Sequence, residues 1–189
     1  MYAFYRAEVE IRRKTLIMDA ATNFNIERLS EHLTSETSKL GILLCGACGN
    51  GKTTLLLALQ KMINWLRDIH KCFDEPEYAV MNMKSAKEIA ELARDEYLKY
   101  YNLIQTPKIL AIDDIGEEQK EVLDYGNVKS PVIDLIETRY DMQLPLYMTS
   151  NKSPETITKE YGDRIGDRLY EMMDIIVFDK TLEESYRRI

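Results

Sequence analysis

The 189-residue sequence predicts an α/β domain in which a five-stranded, mainly parallel β-sheet lies between two layers of helices. Three observations predict it. Five short apolar runs recur along the chain, each bounded by polar or glycine-bearing segments. Stretches with apolar residues at helical spacing separate the runs, the crossover that parallel strands require. A glycine-rich octet sits between the first run and the first of these helices.

Residues 1–40 are mixed and polar and are read as an amino-terminal extension, with residues 41–189 as the main domain. In the extension, Asn25 is the expected cap of a short helix carrying Leu29 and Leu33 on one face. Arg12-Arg13-Lys14 is the only basic run, read as a solvated face in preference to a nucleic-acid contact. Gly41-Ile42-Leu43-Leu44-Cys45 has the length and composition of a buried strand. After the glycines, Leu55, Leu56, Leu59, Met62, Ile63 and Leu66 recur as on a helix. Residues 78–83 read as a second strand, and Ser85 with Glu88 as a capping box for the next helix. Residues 108–113 form a third apolar run that ends in a carboxylate. Residues 116–129 read as a loop broken by Gly116 and Gly126. Ser130-Pro131 and Ser153-Pro154 each start a helix, because serine caps and proline fits the first turn. Residues 144–149 and 174–178 complete the set of strands.

The octet Gly46-Ala47-Cys48-Gly49-Asn50-Gly51-Lys52-Thr53 matches G-x-x-x-x-G-K-[ST] at every fixed position. Backbone amides that turn inward around a phosphate need conformations that glycine adopts without strain. The helix that follows, with Thr54 in its first turn, points its positive end at the anion. Lys52 then reaches the β- and γ-phosphates, and the Thr53 hydroxyl ligates Mg²⁺. The spacing Cys45-x-x-Cys48 also occurs in zinc and redox sites, yet no second Cys or His pair accompanies it. Cys45 is therefore expected in the core and Cys48 as loop filler, with His32 and His70 at the surface.

A phosphate loop needs a second strand to present a carboxylate to the metal. Ile109-Leu110-Ala111-Ile112-Asp113-Asp114 supplies it. Asp113 is assigned to Mg²⁺, through water, and Asp114 to the attacking water. Glu117 and Glu118 either support this site or belong to a solvated loop. Asn151, just past a strand end, is placed to bond the γ-phosphate or the water. Arg164 and Arg168 share a helix face. Either they pair with Asp163 or Asp167, or one projects into a neighbouring subunit's site to stabilise transition-state charge.

Bulk properties narrow the setting. A net charge of −7 argues against strong autonomous DNA binding, which needs a Lys or Arg for each phosphate neutralised. No apolar run approaches the roughly 20 residues of a membrane span. Three cysteines, an odd number, read as reduced thiols of a cytoplasmic protein.

Taken in order, the octet, Ile112-Asp113-Asp114-Ile115-Gly116, Thr149-Ser150-Asn151 and Asp163-Arg164-Ile165-Gly166-Asp167-Arg168-Leu169 resemble the AAA+ ATPase domain of DnaC-type replicative helicase loaders, and the related IstB transposition helpers. The resemblance covers roughly residues 40–180. It implies the P-loop NTPase fold with strand order 5-1-4-3-2, and ATP with Mg²⁺ as the ligands. It also implies weak ATPase activity unless DNA or assembly stimulates it. Asn151 becomes the γ-phosphate sensor and Arg168, with Arg164 close by, the finger that acts in trans. The implied partners are a replicative helicase, single-stranded DNA and further copies of the chain, with ATP at the subunit junctions. Where many ATPases carry Glu, this sequence has Asp114, and the helical lid is expected to be small or absent. A transposition helper that binds duplex DNA and a transposase, a small-molecule phosphotransferase and a nucleotide-gated binding module that barely hydrolyses ATP are the alternatives.

Overall fold

The computed structural model describes residues 1–70, 80–119, 122–124 and 127–178. Two helices open the chain: α1 (Tyr2–Ile11) and α2 (Ala20–Thr34). They are followed by β1 (Gly41–Gly46), α3 (Lys52–Trp65) and a π-helical turn over Leu66–His70. Next come β2 (Met81–Ser85), α4 (Ala86–Asp95), α5 (Tyr97–Gln105) and β3 (Ile109–Ile115). Two short strands, β4 (Val122–Asp124) and β5 (Asn127–Lys129), pair antiparallel. The chain continues through α6 (Pro131–Asp141), β6 (Leu146–Ser150), α7 (Pro154–Tyr161), α8 (Asp163–Met172) and β7 (Met173–Phe178).

The main sheet has five strands in the order β2-β3-β6-β1-β7, every neighbouring pair parallel. Numbered among themselves, its strands run 5-1-4-3-2, the order that the resemblance implies. Each face carries its own core. Leu43, Leu110, Ile112 and Met148 pack on one side against α4, α5, α6, α7 and α8. Ile42, Leu44 and Ala111 pack on the other with Leu55, Leu56 and Leu59 of α3. Tyr5 of α1 and Ile26 and Leu29 of α2 belong to this second core, so the expected extension packs onto the sheet domain. Burial on both faces accounts for strands that read as continuous apolar runs.

Local signals set most boundaries. Ser85 and Glu88 form the complete capping box at α4. The Ser153 hydroxyl accepts from the Thr156 N–H at α7, and Pro131 occupies the first turn of α6.

Three expectations, and one of the two alternatives for the arginines of α8, need correction. Asn25 does not cap a helix. The cap of α2 lies six residues earlier, where Asp19 accepts from the Thr22 N–H at 2.8 Å, and Asn25 is buried within the helix. Segment 116–129 is not all loop, since it contains the β4–β5 hairpin. His32 is not a surface residue: its Nδ1 lies 2.7 Å from Asp174 and its Nε2 3.3 Å from the Tyr147 hydroxyl, clamping α2 to β6 and β7. Arg164 and Arg168 pair with α6 and not with Asp163 or Asp167, because α8 packs that face against α6. The start of the expected second strand at Tyr78 and Ala79, the breaker Gly126 and the side chain of His70 lie outside the described residues.

Candidate functional site

The carboxyl ends of β1, β3 and β6 converge on one cavity of about 940 Å³, near the upper end of the range for ligand pockets. Cys48, Gly49, Asn50, Gly51, Lys52, Thr53 and Thr54 line it, together with Asp113, Asp114 and Asn151. Gly49 and Gly51 hold φ angles of 84° and 94°, in the left-handed region where a side chain is strained. They let the chain turn back on itself between β1 and α3 along the wall of the cavity. Gly46 and Ala47 contribute carbonyls: the Lys52 ammonium donates to them at 2.7 and 2.9 Å and to Asn50 Oδ1 at 3.0 Å. Lys52 is 5% exposed, and burial lowers its pKa against the opposing pull of Cys48 and Asp114. Asn50 in turn donates to the Phe178 carbonyl at 3.3 Å, tying the loop to the end of β7. Cys45 is fully buried in the core and Cys48 is exposed.

The acid pair depends on a local irregularity. Along a regular strand, neighbouring side chains point to opposite faces. Between Ile112 and Ile115 the pairing of β3 with β6 slips by one residue, and Asp114 adopts φ 57°. Such a bulge re-aims side chains, and here both carboxylates line the same cavity. Asp tolerates the left-handed region better than most residues, which suits the shorter acid to this position.

Hydroxyls hold the pair in place. Asp113 Oδ1 accepts from Thr53 at 3.0 Å and from Thr149 at 2.6 Å. The Thr149 oxygen also accepts from the Asp114 N–H at 2.9 Å. Asn151 donates to Asp114 Oδ1 at 3.1 Å. Thr149, fully buried, thus positions both acids, a role that its place in an apolar strand conceals. Thr53 and Asp113 are oxygen donors on facing elements, the set that Mg²⁺ takes when phosphate oxygens and water complete its shell. Lys52, Thr53, Asp113, Asp114 and Asn151, singled out in the sequence, thus line one cavity.

Behind the acids, Glu118 is buried. It accepts from the Gly116 N–H at 2.7 Å and from the Tyr161 hydroxyl. Lys152 bonds the Gly116 carbonyl at 2.7 Å and Glu160 at 2.6 Å. Glu117 is exposed. Arg164 and Arg168 lie on α8 and do not line the cavity. Arg168, its side chain 12% exposed, pairs with Glu137 and Asp141 and stacks 4.8 Å over the Tyr140 ring. Arg164 approaches Glu137 at 3.4 Å, with its side chain 73% exposed.

A glycine-rich loop feeding a helix, an acid pair on the strand two places away and a parallel sheet ordered 5-1-4-3-2 define a P-loop fold of the AAA+ type. Among solved structures, the chain is similar to the DnaC helicase loader (TM-score 0.64, 19% identity, covering 95% of this chain and 100% of that one). It is similar also to DnaI (0.57, 20%, 92% and 92%) and to the replication initiator DnaA bound to AMPPCP and single-stranded DNA (0.58, 18%, 88% and 49%). At these identities the likeness shows the fold. No protein-family model and no curated protein sequence matches the chain. Among the described residues, no helix is long and apolar enough to cross a membrane.

Proposed function

We propose that the chain binds ATP with Mg²⁺ and hydrolyses it to ADP and phosphate, weakly on its own, as a helicase-loader ATPase of DNA replication in the cytoplasm. The observation that carries the ATPase reading is the meeting of Thr53, Asp113, Asp114 and Asn151 at the mouth of the glycine-rich loop. In this reading Lys52 exchanges its loop carbonyls for the β- and γ-phosphates, and Thr53 and Asp113 hold the metal. The bound ion offsets negative charge on the phosphates. Asp114 orients or deprotonates the attacking water, and Asn151 fixes Asp114 while turning its remaining amide hydrogen toward the γ-phosphate. Tyr5, Val9, Leu16 and Ile17, on the amino-terminal wall, offer the base an apolar surface.

The loader role draws its support from likeness to DnaC and DnaI over nearly the whole chain. Its partners are a replicative helicase, single-stranded DNA held weakly by a chain of net charge −7, and further copies of the chain with ATP at their junctions. Exposure favours Arg164 as the arginine that reaches a neighbour's ATP. Arg168 does so only by giving up two carboxylates.

Calorimetry on folded protein tests the foundation. ATP uptake that Lys52→Ala abolishes supports the reading, and no uptake of any nucleoside triphosphate overturns it. Capture of the replicative helicase by the ATP-bound chain tests the role. A duplex-DNA footprint with transposase capture instead transfers it to transposition.

A further inference from the structure

The basic run Arg12-Arg13-Lys14, expected to be a solvated face, lines the same cavity as the glycine-rich loop. Arg12 is committed elsewhere, donating to the Glu8 carboxylate at 3.0 Å and to the Glu8 carbonyl at 2.8 Å. Arg13 and Lys14 are exposed at the cavity and make no ion pair among the described residues. Their charge matters to the cavity. Lys52 alone faces two carboxylates, Asp113 and Asp114. Adding Arg13 and Lys14 reverses that balance to three cations against two, which suits a polyphosphate.

The backbone supplies a second, independent observation. α1 ends in a Schellman motif: the Lys14 N–H donates to the Val9 carbonyl at 3.2 Å and the Arg13 N–H to the Glu10 carbonyl at 2.9 Å. Arg13 occupies the left-handed position of that motif, at φ 56°. Glycine is the usual residue there, because any side chain strains the turn. An arginine held in a strained conformation beside a phosphate loop points to a use for its side chain.

We propose that Arg13 and Lys14 bind the nucleotide's phosphates in cis, from the wall formed by the end of α1. This inference rests on the nucleotide reading above and adds two residues that the phosphate-loop motif does not contain. It separates stability from binding at one residue. Arg13→Gly relieves the turn, so the melting temperature rises or holds. Affinity for ATP falls about tenfold, the worth of one charge-assisted hydrogen bond. Lys14→Gln weakens ATP binding in the same direction, and Arg13→Lys retains most of it.

The test is calorimetry with ATP, ADP and AMP, beside thermal melts, on the unaltered chain, these variants and Arg94→Ala as a distant control. A loss that grows from AMP to ATP at an undiminished melting temperature supports the assignment. Binding by the unaltered chain that Arg13→Gly and Lys14→Gln leave within about twofold overturns it alone. An equal loss for AMP and ATP also overturns it, as does lost single-stranded oligonucleotide binding with ATP binding intact. A folded, unaltered chain that takes up no nucleotide overturns the underlying reading as well.

Discussion

Thr149→Val removes one oxygen and leaves the shape of the side chain intact, so its effects trace to two hydrogen bonds. The hydroxyl donates to Asp113 at 2.6 Å and accepts from the Asp114 N–H at 2.9 Å, in a residue with no exposed surface. Losing the charge-assisted bond costs about 1.5–3 kcal/mol, and orphaning a buried N–H costs about 1–3 kcal/mol more. Burying a methyl group in place of the hydroxyl returns roughly 1 kcal/mol. The balance is a loss of about 3 kcal/mol, or about 6–12 °C in melting temperature for a chain of this size. Asp113 keeps the Thr53 hydroxyl, so ATP binding falls only modestly. Asp114 loses the anchor of its backbone, and a displacement near 1 Å costs about a hundredfold in hydrolysis. Thermal melts and single-turnover hydrolysis at high protein concentration read the two effects separately. Thr149→Ser keeps the hydroxyl and retains most of both. A Thr149→Val protein that melts within about 2 °C of the parent and hydrolyses ATP at the parent rate refutes the positioning role.

Other consequences are equally direct. Arg139 is fully buried and donates to the carbonyls of Ile104, Thr106, Lys108 and Pro145, so Arg139→Met destabilises the fold by about 3 kcal/mol or more in urea titrations. Lysine does not rescue it, because one ammonium cannot span the four acceptors. Burial pushes the Cys45 thiol up to about 12, so iodoacetamide at pH 8 modifies exposed Cys48 in the native protein and spares Cys45, as peptide mass spectrometry will show. Burial likewise raises the Tyr147 hydroxyl to about 12 and lifts Tyr100 and Tyr161. With native pKa values above their unfolded ones, these groups contribute stability that is complete below about pH 9. It is lost as pH climbs toward 12, which alkaline melts will follow. On the proposed function, Arg164→Ala is expected to abolish DNA- or assembly-stimulated ATP turnover in steady-state assays, with little change in melting temperature. Arg168→Ala lowers the melting temperature through its lost pairs with Glu137 and Asp141.

The strands were legible because a doubly covered parallel sheet demands unbroken apolar runs, and Ile42–Cys45 and Ile109–Ile112 supply them. The phosphate loop was legible because its geometry restricts residue types at fixed spacing. What escaped depends on contacts between segments distant in sequence. Helix α1 lies in the segment read as a mixed, polar extension, and its place is set by Tyr5 in the core and by Glu8, buried and paired with Lys61 and Arg12. His32 reads as an isolated polar residue until Asp174 and Tyr147, more than a hundred residues away, close around it. The spacing leaves Arg168 between pairing with Asp163 or Asp167 and reaching a neighbouring subunit, and only the fold brings Glu137 and Asp141 of α6 against it. The slip in β3 has no local marker either. Two adjacent aspartates announce acidity, while the extra residue that turns them to the same side appears only in the register with β6.

That left-handed aspartate has a further consequence. The conformation at Asp114 admits Asp, Asn and Gly far more readily than a longer acid or a branched side chain. Exchange for asparagine therefore preserves the backbone and deletes only the charge. On the proposed function, turnover becomes a trait that one residue can switch off while nucleotide capture and folding persist. Two otherwise identical proteins, one a timer and the other a latch, lie a single amide apart.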